Sequence, residues 1–319
     1  MNNVNLHTGA AHQVLNEVNR VVLGKQQEIA EIMTAFLANG HVLLEDIPGV
    51  GKTTLAIAFS KALGLNCKRV QFTPDVMPSD LTGFSVYNRE KEKFVYQEGS
   101  VFCNLLLADE INRTSPKTQA ALLEVMEERK VSVEGVTRQV PEPFLVIATQ
   151  NPSGAAGTQL LPEAQIDRFM VTLSLGYPDF NSELAIAKGV GVNSRTDFVN
   201  PVTDANTFLV MQREIHDIYI KDVVYDYILK LITATRSNRY LERGASPRAT
   251  IALVKCSKAY AWLQGRHYVV PNDVVAQLPY VLYHRIMLST SAKMSGVTKN
   301  QVLDDILQSV QPPYMGVKR

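Results

Sequence analysis

A glycine-rich turn with the sequence DIPGVGKT, at residues 46–53, carries the residue types best suited to chemistry in this chain. Apolar runs lie on both sides of it, at residues 41–44 and 55–59, so the segment is predicted as strand, turn and helix. Gly49 and Gly51 allow the backbone to approach a ligand without an obstructing Cβ. Successive N–H groups and the dipole at the helix start attract an anion, which predicts that the turn binds phosphate.

Two side chains at the end of this turn extend the prediction to a nucleotide and a metal ion. Lys52 is placed to reach the β- and γ-phosphates, and the Thr53 hydroxyl is placed to bind Mg²⁺. The usual pattern begins with glycine, whereas this chain has Asp46 at that position. A glycine turn before an ordinary helix is the plain alternative, but chance produces such a string in roughly one chain in a thousand or fewer.

A pair of carboxylates follows another apolar run. Residues 105–108 read Leu-Leu-Leu-Ala, which is typical of a strand buried on both faces, and Asp109 and Glu110 come directly after them. A carboxylate at the end of such a strand, beside a phosphate loop, is expected to hold Mg²⁺, and Glu110 is expected to polarise the attacking water. Asn151 ends the next buried strand and is a candidate for orienting that water, although Asn-Pro also starts turns.

Two arginines are candidates for stabilising phosphoryl charge. Arg168 lies just before an apolar segment, residues 169–173, that is predicted as a strand. Arg248 follows Ser246 and Pro247, which fit the N-cap and the first position of a helix. A cation in the first helical turn opposes the helix dipole, so Arg248 is expected to have an anionic partner. Taken singly, either arginine also fits a solvated surface position.

The elements that must position these residues alternate between strands and helices in the first part of the chain. Besides the strand before the glycine turn, strands are predicted at residues 68–72, 105–108, 144–148 and 169–173, and helices at about residues 29–37 and 116–129. This alternation predicts an α/β fold with a parallel sheet. Residues 203–319 show helical periodicity without strand patterns, so we expect a core domain at residues 1–185 and a helical domain at residues 186–319.

Two hairpins are predicted within the α/β part, at about residues 84–96 and 130–140. Aromatic side chains are concentrated in the first of them: Phe84, Tyr87, Phe94 and Tyr96. Such residues usually pack the hairpin itself. The alternative is a surface that grips a polypeptide.

Composition excludes several classes of protein. The chain has 319 residues, of which 46% are hydrophobic and 20% charged, enough for two globular domains. Its net charge of +1 provides no overall field for nucleic acid or acidic lipid. The three cysteines and six histidines lack disulfide or metal-site spacing. The first residues do not resemble a signal peptide and no stretch fits a membrane span, so a cytoplasmic protein is expected.

Five motifs occur in this order along the chain: EDIPGVGKT, LLLADEINR, ATQNP, LPEAQIDRF and GASPRA. Together they resemble the MoxR family of AAA+ ATPases, which is related to magnesium-chelatase ATPase subunits, over nearly the whole chain. The resemblance implies a three-layer αβα domain with sheet order 5-1-4-3-2 and a C-terminal helical lid. It also implies that the first hairpin is the helix-2 insert and the second the pre-sensor hairpin, both commonly facing the pore of a ring. Residues 153–157 lack the acidic side chains often found after the ATQNP motif.

The same resemblance implies a role for each motif. Lys52 and Thr53 match Walker A, while Asp109 and Glu110 match Walker B. The other matches are Asn151 to sensor 1, Arg248 to sensor 2, and Arg168 to the arginine finger that a neighbouring subunit supplies. The implied catalytic residues are Lys52, Glu110, Asn151, Arg168 and Arg248. The residues implied to bind ATP and Mg²⁺ are Gly24 of the adenine-pocket segment, Pro48, Gly49, Val50, Gly51, Lys52, Thr53, Thr54, Asp109 and Arg248, with Thr53 and Asp109 on the metal.

Hydrolysis of ATP to ADP and phosphate is the implied activity. Family members often form hexamers and act as chaperones that mature complexes or insert metal cofactors, often with a partner that carries a von Willebrand A domain. Two other functions stay open: a nucleotide-dependent binding switch with negligible turnover, and a helicase-related DNA motor. A steady-state ATPase assay distinguishes a binding switch from an ATPase. A salt-dependent DNA-binding titration tests for a DNA motor, and the near-zero net charge already argues against that function.

Overall fold

A five-stranded sheet, in which every pair of neighbours is parallel, forms the centre of this computed structural model, which describes residues 7–46, 49–150, 161–189 and 195–314. The strands before the lid are β1 (Val42–Glu45), β2 (Cys67–Gln71), β3 (Phe84–Asn88), β4 (Lys93–Gln97), β5 (Leu105–Asp109), β6 (Lys130–Val133), β7 (Val136–Gln139), β8 (Leu145–Gln150) and β9 (Val171–Leu173). The central sheet has the order β2-β5-β8-β1-β9. Counted along the core strands this is 2-3-4-1-5, so the predicted order is confirmed.

Helices cover the sheet and lead into it. Within the described part of the chain before residue 190 they are α1 (Thr8–Val21), α2 (Gln26–Leu37), α3 (Lys52–Ala62), α4 (Pro78–Thr82), α5 (Pro116–Glu128), α6 (Glu163–Ile166) and α7 (Phe180–Lys188). Helix α5 begins as its sequence predicts, with the Ser115 hydroxyl accepting from Thr118 N and with Pro116 at the first position. It ends at Arg129, whose backbone is left-handed with φ 57°. The two predicted hairpins are β3–β4 and β6–β7.

Side chains of the strands alternate between two hydrophobic clusters. Leu105 and Leu107 pack on the face covered by α1, α2 and α3, whereas Leu106 and Ala108 pack on the face covered by α5. All four are essentially buried, which explains the continuous apolar run in the sequence. Asp109 is the last residue of β5 and pairs with Gln71 at the end of β2, so the first carboxylate of the pair lies where the buried run ends.

The rest of the described chain is a helical lid. Its helices are α8 (Ala205–His216), α9 (Asp222–Arg236), α10 (Pro247–Leu263), α11 (Pro271–Leu282), α12 (Thr290–Met294) and α13 (Lys299–Ser309). The expectation of no strands here was wrong, because β10 (Leu241–Arg243) and β11 (Met287–Leu288) form a short antiparallel pair. Strands of three and two residues are too short to show a period of two. The division at residue 185 stays a prediction. No helix in the described ranges has the length and apolarity needed to cross a lipid bilayer.

The lid and the core share one hydrophobic cluster and a buried arginine. The Arg285 guanidinium, on a side chain that is only 3% exposed, donates from Nε to Asp167 Oδ1 at 2.6 Å and from Nη2 to Phe169 O at 2.6 Å. A further donation from Nη1 to Met170 O spans 3.0 Å. Arg285 therefore fixes the lid to the segment that precedes β9.

A buried glutamate forms a second contact between the two parts. Glu31 of α2 is 5% exposed, and its Oε2 accepts from Gln277 Nε2 of α11 at 2.8 Å. Burial raises the pKa of Glu31 from 4.5 to about 7 and outweighs the opposing effect of that hydrogen bond. The folded state therefore binds a proton at Glu31 more tightly than the unfolded chain does.

This difference predicts a pH-dependent stability. Because the pKa is raised on folding, the stabilisation is full below pH 4.5 and is lost as pH rises through about 7. The loss amounts to up to about 3 kcal/mol at pH 8. Glu31→Gln should abolish this component and raise the free energy of unfolding at pH 8, as measured by urea denaturation at pH 5 and pH 8. Glu28→Gln, a less buried position in the same helix, is the control, and an unchanged pH dependence in Glu31→Gln would contradict the assignment.

Candidate nucleotide site

The predicted phosphate loop lies between the end of β1 and the start of α3. Gly51 is the N-cap of α3 with φ 91°, and Gly49 has φ 90°, both in the left-handed region that favours glycine. A Cβ built on either glycine would meet no other atom within 4 Å, so the turn faces open space. The N–H groups of the first turn of α3 therefore border a space that an anion can enter. Pro48, one of the predicted site residues, lies outside the described residues.

The contacts of the Asp46 side chain explain why this chain lacks the usual glycine at the first position of the loop. Its carboxylate is 3% exposed and accepts hydrogen bonds from the segment that follows β9: Ser174 Oγ at 2.6 Å, Leu175 N at 2.7 Å and Gly176 N at 2.9 Å. Its backbone oxygen accepts from Lys52 Nζ at 3.2 Å. The first residue of the loop thus fastens it to the connection that leads from the core towards the lid.

The two predicted carboxylates lie at the end of β5 and are joined to β8 through Thr149. The buried Thr149 hydroxyl donates to Asp109 Oδ1 at 2.7 Å and accepts from Glu110 N at 2.8 Å. This bond supports a left-handed backbone at Glu110, with φ 58° and ψ 49°. Such a conformation is uncommon for a residue with a side chain and tends to occur at functional sites.

Polar residues of neighbouring elements fix the two carboxylates further. Arg69 Nη2, on β2, donates to Asp109 Oδ2 at 2.8 Å. Gln71 Nε2, also on β2, donates to Glu110 Oε2 at 2.8 Å, and Arg113 Nη1 donates to the same oxygen at 2.7 Å. Both carboxylates are therefore oriented by partners outside their own strand, as is common for groups around a metal or a reacting water.

A cavity of about 330 Å³ adjoins the phosphate loop. Its lining is mainly apolar and comes from the end of α1 and the segment after it, from the loop, and from α7 and the segment before it: Val21, Val22, Leu23, Val50, Pro178 and Ile186. Its size and apolar walls suit a planar base. Gly24 packs against the start of α7, where an added Cβ would lie 2.5 Å from Ser182 Oγ.

No group of three or more His, Cys, Asp or Glu side chains that could hold a metal occurs among the described residues. Mg²⁺ commonly binds to proteins through one or two carboxylates together with waters and substrate phosphates, and needs no such cluster. Asp109 and the Thr53 hydroxyl, both oxygen donors at the carboxyl edge of the sheet, have the chemistry that such a site needs.

The two predicted arginines lie at the opposite edge of the sheet. Met170 N donates to His41 O at 2.8 Å, so the segment that contains Arg168 lies where β1 begins. Arg248 is in the first turn of α10, where Ser246 Oγ caps the helix by accepting from Arg248 N. Parallel strands place the phosphate loop at the other end of β1.

A carboxylate of α5 joins the two arginines. Glu127 Oε1 accepts from Arg248 Nη2 at 2.6 Å, and Glu127 Oε2 lies 3.4 Å from Arg168 Nε. These residues line a cleft of about 380 Å³ between α5, the segment before β9 and the lid. The anionic partner expected for Arg248 is therefore Glu127 within the same subunit.

The first hairpin exposes three of its four aromatic residues. Phe84, Tyr87 and Phe94 are 48%, 50% and 70% exposed, whereas Tyr96 lies under the guanidinium of Arg138, 3.7 Å from the ring centroid. Ser85 Oγ donates to Glu134 Oε2 at 2.6 Å, which also joins the two hairpins. Tyr96 thus packs the hairpin pair. Tyr87 and Phe94 are cross-strand partners whose ring centroids lie 5.5 Å apart, whereas Phe84 lies on the other face of the hairpin.

Known proteins resemble this chain in sequence and in fold. The family model described as "ATPase family associated with various cellular activities (AAA)" matches residues 41–171, and the AAA lid domain model matches residues 233–306. A Bacillus subtilis protein, YeaC, is 44% identical over 94% of each chain. Chaperone MoxR1 of Mycobacterium tuberculosis is 38% identical over 94% of this chain and 81% of its own. A crystal structure of a candidate ATPase from Cytophaga hutchinsonii superposes with TM-score 0.91 at 37% identity, covering 98% of this chain and 97% of that one.

The chain belongs to the MoxR family of AAA ATPases. Membership of this family implies that it binds a nucleotide together with a divalent metal ion. The matched models cover the phosphate loop, the acid pair and most of the lid. Of the predicted site residues, Lys52, Thr53, Asp109 and Glu110 lie at one edge of the sheet, and Arg168 and Arg248 at the other. Asn151 lies outside the described residues.

Four residues that matter to this MoxR-family site were not predicted. Thr149 precedes Asn151 by two positions and would have been found by asking which residues end the strand beside β5. Arg69 and Gln71 end the other neighbouring strand, so the same question would have found them. Glu127 gives no signal of its own in the sequence, because its partners lie 41 and 121 residues away.

Asp46→Gly restores the usual glycine and is expected to destabilise the protein. Leu175 N and Gly176 N lose their acceptor, and an unsatisfied buried donor costs about 1–3 kcal/mol. Asp75→Gly, at an exposed turn, measures the entropic effect of glycine alone and should cost about 1 kcal/mol or less. Urea denaturation compares the two variants. Equal losses of stability would show that the carboxylate contacts contribute nothing.

Proposed function

We propose that this MoxR-family chain hydrolyses ATP with Mg²⁺ in an oligomeric ring whose active sites lie between subunits. One observation carries the proposal: the phosphate loop and the acid pair lie at one edge of the sheet, and Arg168 and Arg248 lie at the other. The four residues of β1 alone span about 13 Å. In this arrangement the two arginines do not reach the phosphates on their own chain, and a head-to-tail neighbour supplies the missing half.

The described residues can divide the chemistry of phosphoryl transfer between them. The amides at the start of α3 and Lys52 bind the β- and γ-phosphates, while Thr53 and Asp109 hold the metal. Mg²⁺ held there would supply positive charge that stabilises the transferring phosphoryl group. Glu110 orients and polarises the attacking water, with its backbone held by Thr149. Asn151 is proposed to orient the same water.

The two arginines are the reason that ATP hydrolysis is expected to depend on assembly. Phosphoryl transfer needs positioning and charge stabilisation more than covalent chemistry, and an arginine supplied by a partner accelerates related reactions by roughly 10³–10⁵. Arg168 and Arg248 share one carboxylate, so a neighbour that receives one also receives the other. An isolated subunit is therefore expected to bind ATP but to hydrolyse it slowly.

The ring is proposed to be a hexamer that remodels or matures partner complexes or assists metal insertion. The resemblance to MoxR proteins and the 38% identity to Chaperone MoxR1 support this role. The exposed aromatic residues of the first hairpin provide a surface for a client or for a partner with a von Willebrand A domain. We place the protein in the cytoplasm, which suits its three free cysteines.

Glu110→Gln should retain ATP binding and lose at least about a hundredfold in kcat, because an amide cannot accept the proton of the attacking water. Phosphate release measures turnover, and binding of a fluorescent ATP analogue measures affinity. Glu124→Gln, at an exposed position on α5, is the matched control and should behave as the wild type. Wild-type turnover in Glu110→Gln would refute the role of Glu110.

Mixing two inactive variants tests whether the site is shared. Lys52→Ala lacks a working phosphate loop and Arg168→Ala lacks the finger, so a mixed ring contains some interfaces with both groups intact. For random assembly of equal amounts in a head-to-tail ring, about a quarter of the interfaces are complete. ATPase activity should recover on mixing, with co-assembly verified by capture of differently tagged chains. Absence of recovery in co-assembled rings would argue against an arginine supplied by the neighbour.

A further inference from the structure

Glu127 is the carboxylate that Arg168 and Arg248 share. One oxygen lies 2.6 Å from Arg248 Nη2, and the other lies 3.4 Å from Arg168 Nε. The two guanidinium groups come from different parts of the fold, one from the segment before β9 and one from the lid. Glu127 therefore brings together two cations that would otherwise repel each other.

Helix stability does not explain a carboxylate at this place. Glu127 is in the last turn of α5, where a negative charge opposes the helix dipole, and Arg248 is in the first turn of α10, where a positive charge opposes it. The side chains are 42% and 47% exposed, and ion pairs this exposed contribute little to stability. The arrangement is better explained by the chemistry of the two arginines than by the folding of either helix.

The other charged residues of the cleft show why Glu127 is the carboxylate that pairs with Arg168 and Arg248. Within the described residues, the acids that line the cleft are Glu127 and Asp167. Asp167 already accepts from Arg285 Nε at 2.6 Å and from Ser246 Oγ at 2.8 Å. The cations that line the cleft are Arg129, Arg168, Arg248, Lys255 and Arg285. The cleft is therefore strongly positive and suits a phosphoryl group with several negative oxygens.

We propose that Glu127 is a positioning residue that holds Arg168 and Arg248 side by side, ready to meet one γ-phosphate of the neighbouring subunit. This inference rests on the proposed function. Each contact uses one nitrogen of a guanidinium, Nη2 of Arg248 and Nε of Arg168. A guanidinium has three nitrogens, so each arginine can donate to a phosphate oxygen while Glu127 keeps the two side chains in place.

Glu127→Gln is the test, because it keeps the shape of the side chain and removes its charge. We expect kcat of the assembled protein to fall about tenfold, since small misplacements of a catalytic group cost up to about a hundredfold. KM for ATP should not change, because the phosphate loop is intact. Glu128→Gln is the matched control: Glu128 is the next residue, and its pair is an exposed one with Lys130 at 3.3 Å. Unchanged kcat in Glu127→Gln would overturn the proposal.

A double-mutant comparison separates positioning from a structural contact. In an Arg248→Ala background, where one partner is already absent, Glu127→Gln should lower kcat by only about threefold or less. A full tenfold loss in that background overturns the proposal, because Glu127 would then act independently of Arg248. The melting temperature of Glu127→Gln should match that of Glu128→Gln within about 2 °C. A larger fall accompanied by weaker ATP binding would show a contact that only holds the lid, and would also overturn it.

A negative result for Glu127→Gln can be distinguished from a failure of the proposed function. If wild-type protein hydrolyses ATP and mixed Lys52→Ala and Arg168→Ala subunits recover activity, the shared site stands whatever Glu127→Gln does. If those mixtures stay inactive although they co-assemble, the shared site itself fails and the proposal for Glu127 fails with it.

Discussion

In a parallel sheet all strands end at one edge and begin at the other, so the two edges of this core cannot carry the same chemistry. The glycine turn after β1 and the acid pair after β5 lie at the carboxyl edge, where backbone amides and carboxylates suit phosphate and metal. Arg168 lies at the amino edge because it precedes β9. The distance between these groups follows directly from the direction of the strands, and the proposed dependence on a second subunit is based on it.

The lid is held to this core by contacts of different kinds. The hydrophobic cluster on one face of the sheet continues into the lid, and the buried Arg285 fastens the lid to the segment before β9. Glu31 and Gln277 form a buried polar contact between α2 and α11. Asp46 adds a connection from the phosphate loop to the segment after β9. Packed and hydrogen-bonded groups therefore connect the phosphate loop to the lid.

Much of the core could be predicted from the sequence because local patterns carried the information. Apolar runs marked the buried strands, glycines marked the phosphate turn, and Ser246 with Pro247 marked the start of α10. The sheet order came from the resemblance of five motifs and not from any local pattern. The short strands β10 and β11 were missed because their pairing depends on the packing of the lid.

Contacts between distant segments were not predictable in the same way. In the sequence, Asp46 is noticeable only because it stands where the usual phosphate-loop pattern has glycine. The three groups that donate hydrogen bonds to its carboxylate lie about 130 residues later. Thr149 is an ordinary strand residue until the structure places its hydroxyl between Asp109 and Glu110. Such roles arise from side-chain geometry across the sheet, which composition and periodicity do not contain.

The joined hairpins have a mechanical consequence. Strand β6 begins at Lys130, one residue after the left-handed Arg129 that ends α5, and the β6–β7 hairpin is tied to β3–β4 by Ser85 with Glu134 and by Arg138 with Tyr96. The first hairpin is therefore connected, through the second hairpin, to the last turn of α5. We therefore expect a displacement of the first hairpin to reach the helix end that carries Glu127.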